Sequence, residues 1–139
     1  MPAVVIVDAD PGSRRELTQT LSEDGWEVWT YASAAEALAR LPHLAVDLLV
    51  TEVHLPDLPA WDLIPRLRAL DPDLPVVALT ADEAWETSRR VRVEAGPVFY
   101  YALKPVDPQE LRGVARSAAR WRHRHDPPAT APRPMETRR

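Results

Sequence analysis

The sequence predicts an α/β fold in which a doubly wound parallel sheet of five strands is covered by helices on both faces. Five short apolar runs alternate along the chain with five segments that carry helical periodicity or helix-capping residues. The third apolar run, at about 46–52, lacks polar alternation, which is typical of a central strand buried on both faces. At 139 residues, the chain is long enough for one domain with a full core.

The first two strand–helix pairs are marked by capping residues. A β-branched run at 3–7 predicts the first strand, and Asp10 followed by Pro11 predicts the N-cap and first position of a helix that Gly25 ends. Aromatic and β-branched residues at 26–31 predict the second strand. The second helix is indicated by a capping box and a terminating proline, at Ser33, Glu36 and Pro42.

The third strand leads to Glu52, which we expect to be exposed at the strand end, and then to a proline-rich loop. Pro59 begins the next helix, for which Asp57 is the expected cap and Asp71 the end. Its predicted apolar side consists of Trp61, Ile64, Leu67 and Leu70.

The last two strands are predicted at 74–79 and 98–103, where apolar residues are again concentrated. Between them, a helix at about 82–95 has few apolar positions, so we expect loose packing. Asp107 caps the last helix. The apolar residues expected to anchor the fourth and last helices are Trp85, Val91, Ala95, Leu111, Val114, Ala118 and Trp121.

Composition and charge exclude several functional classes. The chain has no cysteine, so disulfides, thiol nucleophiles and thiolate metal sites are excluded. It has neither a membrane-length apolar run nor a signal segment, and we therefore expect no membrane association and a cytoplasmic protein. Residues 122–139 carry a net charge of +3, which leaves −7 on residues 1–121 and makes nucleic-acid binding by the folded part unfavourable.

Two segments are predicted from these patterns. Residues 1–124 form the folded domain, and residues 125–139 are a disordered Pro/Arg-rich tail or a truncated linker, because helical periodicity stops there and Pro, Ala, Thr and Arg dominate.

Polar side chains follow four of the predicted strands. They are Asp8, Glu52, Thr80 and Lys104, and Lys104 is the single lysine in a chain with 16 arginines. Because parallel strands place their carboxyl ends on one edge of a sheet, these four side chains can converge. Two carboxylates near an ammonium and a hydroxyl group would bind a cation or a phosphoryl group.

From about residue 3 to residue 121 the chain resembles the receiver domains of two-component response regulators. The matching pieces are Val-Ile-Val-Asp8, Ala34-Ala-Glu-Ala-Leu38, Asp47-Leu-Leu-Val50, Leu55-Pro56, Pro75-Val-Val-Ala-Leu-Thr-Ala81, Lys104-Pro105 and Asp107-Pro-Gln-Glu-Leu111. The resemblance implies a flavodoxin-like fold, a phosphoacceptor aspartate after the third strand, and a phosphate donated by a histidine kinase. It also implies Mg²⁺ held by acidic residues after the first strand, and no enzymatic function.

The sequence departs from the pattern of this family at three places. The phosphoacceptor position holds Glu52 instead of aspartate, and the acidic pair of the family falls on Asp8 and Ala9. Asp10 follows in this acidic pocket, but its expected role is that of N-cap. The glycine-containing loop of the family becomes the proline-stiffened segment 56–60.

These departures predict an atypical, phosphorylation-independent receiver domain in which Glu52 pairs with Lys104. Thr80, Ala81 and Lys104 occupy the phosphoryl-contact positions, and the domain needs no cofactor, or binds Mg²⁺ weakly through Asp8. Tyr101 is a candidate aromatic switch that moves between buried and exposed states. The expected partner is a signalling protein, either a histidine kinase or a downstream effector. A homodimer through the face of the fourth helix, fifth strand and fifth helix is a further possibility.

Three alternatives stay open at this point. A conventional phosphorylated receiver would use Mg²⁺ and a partner kinase, with Glu52 or Asp57 as acceptor. A small flavodoxin-like enzyme or nucleotide binder is less favoured, because neither G-x-G-x-x-G nor G-x-x-x-x-G-K-[ST] occurs. A DNA-binding regulator is also less favoured, because the residues after the last helix are too few for a helix-turn-helix module.

Overall fold

The computed structural model describes residues 1–125 of the chain. The tail or linker predicted from residue 125 onwards therefore lies outside the described residues, apart from His125 itself.

The sheet has five parallel strands in the order β2-β1-β3-β4-β5, which is the flavodoxin-like order. The strands are β1 (Ala3–Val7), β2 (Glu27–Tyr31), β3 (Leu48–Glu52), β4 (Val76–Thr80) and β5 (Tyr100–Leu103). Every residue of β1 and β4 is buried, as is β3 up to Glu52. The predicted fold class is confirmed.

Five α-helices cover the two faces of the sheet. They are α1 (Pro11–Glu23), α2 (Ala34–Arg40), α3 (Ala60–Leu70), α4 (Trp85–Ala95) and α5 (Pro108–Arg124), and a 3-10 turn (Leu41–His43) extends α2. Residues of α1 and α5 pack on one face, and residues of α2, α3 and α4 pack on the other. None of the helices within residues 1–125 combines the length and apolar character needed to cross a membrane.

The local capping signals are confirmed at three helices. Asp10 accepts a hydrogen bond from the Gly12 amide at the start of α1, and the side chains of Ser33 and Asp107 cap α2 and α5 in the same way. These contacts span only two or three residues of sequence, which is why the sequence pattern is sufficient to identify them.

The predicted cap of α3 is wrong. α3 begins at Ala60 with Pro59 at its N-cap position, where no side chain caps the helix. The Asp57 carboxylate instead accepts hydrogen bonds from the amides of Ala34 and Ala35, at 3.1 and 2.9 Å. The proline-stiffened loop turns Asp57 away from its own helix and anchors the loop to the first turn of α2.

Several of the predicted apolar helix positions are exposed or only half-buried. Leu70, at the end of α3, is 60% exposed, and the buried side of α3 contains Ala60 and Leu63, with Ile64 and Leu67 as predicted. Trp85 begins α4 and is 64% exposed. In α5, Leu111 and Ala118 are buried as predicted, whereas Val114 and Trp121 are only half-buried. Leu70, Trp85 and Trp121 lie in the first or last turn of their helices, whereas Val114 lies in the middle of α5.

Candidate functional site

The candidate site lies where the carboxyl ends of β1 and β3 are adjacent. The strand order reverses between these two strands, and such a switch point is where ligands bind in open α/β sheets. Asp8 directly follows β1, Glu52 is the last residue of β3, and Lys104 directly follows β5. The structure therefore brings together three of the four strand-end residues that the sequence singled out.

Lys104 lies between the two carboxylates. Its Nζ donates to Asp8 Oδ2 at 2.6 Å and is 2.8 Å from Glu52 Oε1. The predicted ion pair between Glu52 and Lys104 is therefore present, and Asp8 extends it to a triad with two negative charges and one positive charge. The cis peptide bond between Lys104 and Pro105 is part of the segment that carries this ammonium group.

The environment of Lys104 stabilises its charged form. Burial by itself lowers the pKa of the ammonium, but the hydrogen bonds and negative charges of Asp8 and Glu52 outweigh burial and raise the pKa above 10.5. The lysine therefore remains protonated throughout the physiological pH range.

Asp8 is 2% exposed and its carboxylate is engaged by three donors. Oδ1 accepts from the Asp10 amide at 3.0 Å, and Oδ2 accepts from Ser13 Oγ at 2.7 Å as well as from Lys104. Arg14 donates to the Asp8 carbonyl at 2.6 Å. No pattern in the sequence marks Ser13 as part of the site, because its hydroxyl group reaches Asp8 only once α1 has formed.

The residues at this site do not fit the divalent cation that the receiver fold implies. Ala9 offers no side-chain ligand, and the Asp10 side chain caps α1. The Lys104 ammonium already lies between Asp8 and Glu52, so a cation shared by these carboxylates would have to displace it. Within residues 1–125 no three His, Asp or Glu side chains are grouped closely enough to hold a metal ion.

Glu52 has both carboxylate oxygens engaged. Oε1 faces Lys104, and Oε2 accepts a hydrogen bond from the backbone amide of His54 at 2.9 Å. Its side chain is 13% exposed, so the expectation of an exposed glutamate at the strand end is wrong. The reason is that the additional methylene group lets the carboxylate fold back towards the sheet edge and reach both donors.

Thr80 and Ala81 follow at the end of β4, but Thr80 does not touch the Lys104 triad through its hydroxyl group. The Thr80 hydroxyl accepts from the Asp82 amide at 3.1 Å, and Ala81 is exposed. Asp82 was not singled out from the sequence. Its carboxylate accepts from Thr87 Oγ1 at 2.6 Å and pairs with His54 Nε2 at 3.0 Å.

The pKa of Asp82 is lowered to about 2. The Thr87 hydroxyl has the largest effect, followed by the Ala84 amide and His54. Asp82 is therefore a permanent anion that connects the loop after β3 with the first turn of α4.

Tyr101 points into the core formed with α2, α3 and α4. Its hydroxyl group is buried and has no hydrogen-bond partner among residues 1–125. Burial raises the pKa of Tyr101, and the negative charges of Asp82 and Glu52 raise it further. The structure thus places the candidate switch residue in its buried orientation, close to the charges of the site.

The strand order and the polar groups at the switch point place the chain in the flavodoxin-like class of α/β domains. Residues 4–116 match the family described as response regulator receiver domain, and the chain belongs to this family.

The DNA-binding transcriptional regulator NtrC of Bradyrhizobium sp. is 34% identical over 132 residues, which cover 93% of this chain and 27% of that protein. NtrC of Rhizobium meliloti is 33% identical over 111 residues, covering 80% of this chain and 22% of that protein. The chain thus spans about a quarter of the length of these curated relatives.

Solved structures of receiver domains superpose on this chain. The receiver domain of an HD domain-containing protein from Pseudomonas fluorescens Pf-5 superposes with a TM-score of 0.83 at 28% identity, covering 88% of this chain and 90% of that one. A CheY-like receiver domain from Methanospirillum hungatei JF-1 also gives 0.83, at 25% identity, covering 91% and 99%.

Proposed function

We propose that this receiver domain works without phosphorylation and signals through protein–protein contact, with Glu52 as a fixed, charged replacement for a phosphoacceptor. In this proposal the domain is not an enzyme, and its partner is a signalling protein, either a histidine kinase or a downstream effector. The observation that carries the proposal is the engagement of both Glu52 oxygens, one by Lys104 and the other by the His54 amide.

Phosphoryl transfer to Glu52 would require one of its oxygens as nucleophile. That oxygen would have to leave either Lys104 or the His54 amide before it could attack. In-line transfer also depends on positioning and on neutralisation of charge at the transferring group. Glutamate carries its carboxylate about 1.5 Å further from the backbone than aspartate does, the length of one carbon–carbon bond. These features oppose the reaction at this position.

The charge balance of the site supports the same proposal. The triad of Asp8, Glu52 and Lys104 keeps one net negative charge, and its only ammonium group is already bound by two carboxylates. A phosphoryl group would add negative charge next to Asp8, which is almost fully buried. We therefore favour a site held in one state over a site that is charged and discharged.

The proposed contact surface is formed by α4, β5 and α5. Trp85 and Val93 on α4 are 64% and 68% exposed, and Leu103 at the end of β5 is 45% exposed. Exposed apolar side chains of this size are typical of surfaces that bind a partner protein. The partner at this surface is a second copy of the domain or another signalling protein, and Tyr101 would stay in its buried orientation when the partner binds.

The decisive experiment is a titration of the full chain with beryllofluoride and Mg²⁺, followed by two-dimensional NMR. We expect no saturable shifts of the amides around Glu52. The matched variant combines Ala9→Asp with Glu52→Asp, which restores the acidic pair and the acceptor of the family. This double variant is expected to show site-specific, saturable shifts around residue 52.

A stoichiometric phosphoryl adduct on the unmodified chain after incubation with acetyl phosphate would rule out the proposal. The Asp57→Ala variant then distinguishes between the acceptors, because an adduct that persists in this variant would lie elsewhere. The conventional alternative with Asp57 as acceptor has little support, since the Asp57 carboxylate is bound to the amides of Ala34 and Ala35.

A further inference from the structure

A groove at the opposite, amino-terminal edge of the sheet is not explained by the receiver function. It encloses about 520 Å³ between the loop before β4, the loop before β5 and the end of α5. Three prolines, Pro72, Pro75 and Pro97, form its walls together with the aromatic rings of Phe99 and Trp121. Prolines fix the backbone and lack an amide donor, so these walls are rigid and apolar.

Among the residues that the structure describes, Arg68 is the cationic side chain that lines this groove. The Arg68 guanidinium is half-buried, and Nη1 donates to the Ala95 carbonyl at 3.0 Å, at the end of α4. A guanidinium group has five N–H donors, so one neutral carbonyl leaves most of them available. Among residues 1–125, no carboxylate lies within 4.0 Å of Arg68.

Within residues 1–125, Arg68 lacks the carboxylate partner that Lys104 and Arg122 each have. Lys104 is bound by Asp8 and Glu52, and Arg122 is bound by Asp71. Burial lowers the pKa of Arg68, whereas its carboxylate partners raise the pKa of Lys104. A partly dehydrated cation without an anionic partner is energetically unfavourable, and a bound anion would remove this disadvantage.

We propose that this groove binds a small aromatic carboxylate, with the carboxylate on Arg68 and the ring against Phe99 and Trp121. Arginine presents its donors in a planar fork that matches a carboxylate in a bidentate pair. The proline and aromatic walls favour a flat apolar body. The site is separate from the Lys104 triad, and the proposal does not depend on whether Glu52 is phosphorylated.

Asp73 also lines this groove, and its negative charge affects how many negative charges a ligand can carry there. Its exposed carboxylate repels an anion, so a ligand with one negative charge is favoured over one with two. Substitutions of Arg68 and Asp73 are therefore expected to change the binding affinity in opposite directions. Removing the charge of Arg68 should weaken binding, and removing the charge of Asp73 should strengthen it.

The test is an NMR titration of the full chain with 2-naphthoate and, separately, with the uncharged analogue 2-naphthamide. We expect saturable shifts at the amides of residues 96–99 and at the indole N–H of Trp121, with a Kd on the order of 1 mM or below. The amide analogue should bind about ten-fold more weakly or worse, because it lacks the charge-assisted pair with Arg68.

Four variants test the roles of the charged side chains in this binding. Arg68→Gln is expected to weaken naphthoate binding by about ten-fold or more, and Asp73→Asn to strengthen it by about two-fold. Arg66→Gln removes an exposed arginine of the same helix and should leave binding unchanged. Arg68→Lys keeps a cation near the end of α4 and should retain part of the affinity, which separates loss of charge from loss of folding.

Several results would overturn the proposal. Equal affinity for naphthoate and naphthamide would show that Arg68 does not recognise the charge. Shifts centred on Lys104, or shifts that do not saturate, would place the anion elsewhere. Groove resonances that move on dilution of the protein alone would assign this surface to a second copy of the chain.

Discussion

The two edges of the sheet each hold a buried cation, and they use it differently. At the carboxyl edge, Lys104 contacts two carboxylates and leaves one net negative charge. At the amino edge, Arg122 is 4% exposed and donates through Nη1 to Asp71 at 3.0 Å, through Nη2 to the same carboxylate, and to the Val46 carbonyl at 3.2 Å. Lys104 is shared by two carboxylates, whereas Arg122 is bound by the Asp71 carboxylate and the Val46 carbonyl.

The two ion pairs join different parts of the fold. Arg122 joins α5 to the segments that precede β3 and β4, and its planar guanidinium fixes all three. Lys104 instead has a flexible stem and lies beside a loop that includes the exposed His54. We therefore expect substitutions at Arg122 to lower the free energy of unfolding more than substitutions at Lys104 do.

The largest expected effect is that of Arg122→Ala. Removal of the guanidinium leaves the Asp71 carboxylate and the Val46 carbonyl without this donor, so the free energy of unfolding should fall by about 3 kcal/mol. Urea unfolding followed by circular dichroism measures the change. Arg120→Ala, at an exposed position on the same helix, should change stability by less than about 0.5 kcal/mol. Similar losses in the two variants would contradict the structural role of Arg122.

A smaller loss, about 2 kcal/mol near neutral pH, is expected for Lys104→Met. Water at the site mouth can rehydrate the Asp8 and Glu52 carboxylates when the ammonium is absent, and this limits the loss. The pKa of Lys104 is raised above 10.5, so its contribution is complete below pH 10.5 and disappears as the pH rises through the folded-state pKa. The stability difference between wild type and variant should therefore shrink at alkaline pH, and a constant difference would contradict this assignment.

The smallest effect, about 1 kcal/mol at neutral pH, is expected for Asp57→Ala, which removes the anchor on α2. The Ala35 amide is the main cause of the lowered pKa of Asp57, burial opposes it, and the Ala34 amide adds to it. The contribution is therefore present above pH 3.8 and lost as the pH falls below that value. Unfolding measured from pH 6 to pH 3 should show the difference narrowing, whereas Glu83→Ala should match the wild type throughout.

Local patterns in the sequence predicted most of the fold. Periodicity located the five strands and five helices, and short-range caps such as Asp10 and Ser33 are confirmed because each one bonds within its own turn. Because parallel strands end on one edge of the sheet, the sequence also predicts that Asp8, Glu52 and Lys104 lie close together, as they do.

Long-range contacts could not be predicted in the same way. Asp57 reaches amides 22 and 23 residues away, and Arg122 reaches Asp71 over 51 residues. The sequence contains no pattern that specifies either partner, because both contacts depend on how helices dock against the sheet. The engagement of Glu52 by the His54 amide is local, yet it was missed because backbone donors have no signature in the sequence.

Asp57 also makes the mouth of the Lys104 site asymmetric. On one side, Asp57 binds the proline-rich segment after β3 to the first turn of α2. On the other side, the segment before α4 is bound to the loop after β3 by the His54–Asp82 pair. A partner protein that docks at this opening would contact both segments. To separate α4 from the loop after β3, it would have to break the His54–Asp82 pair.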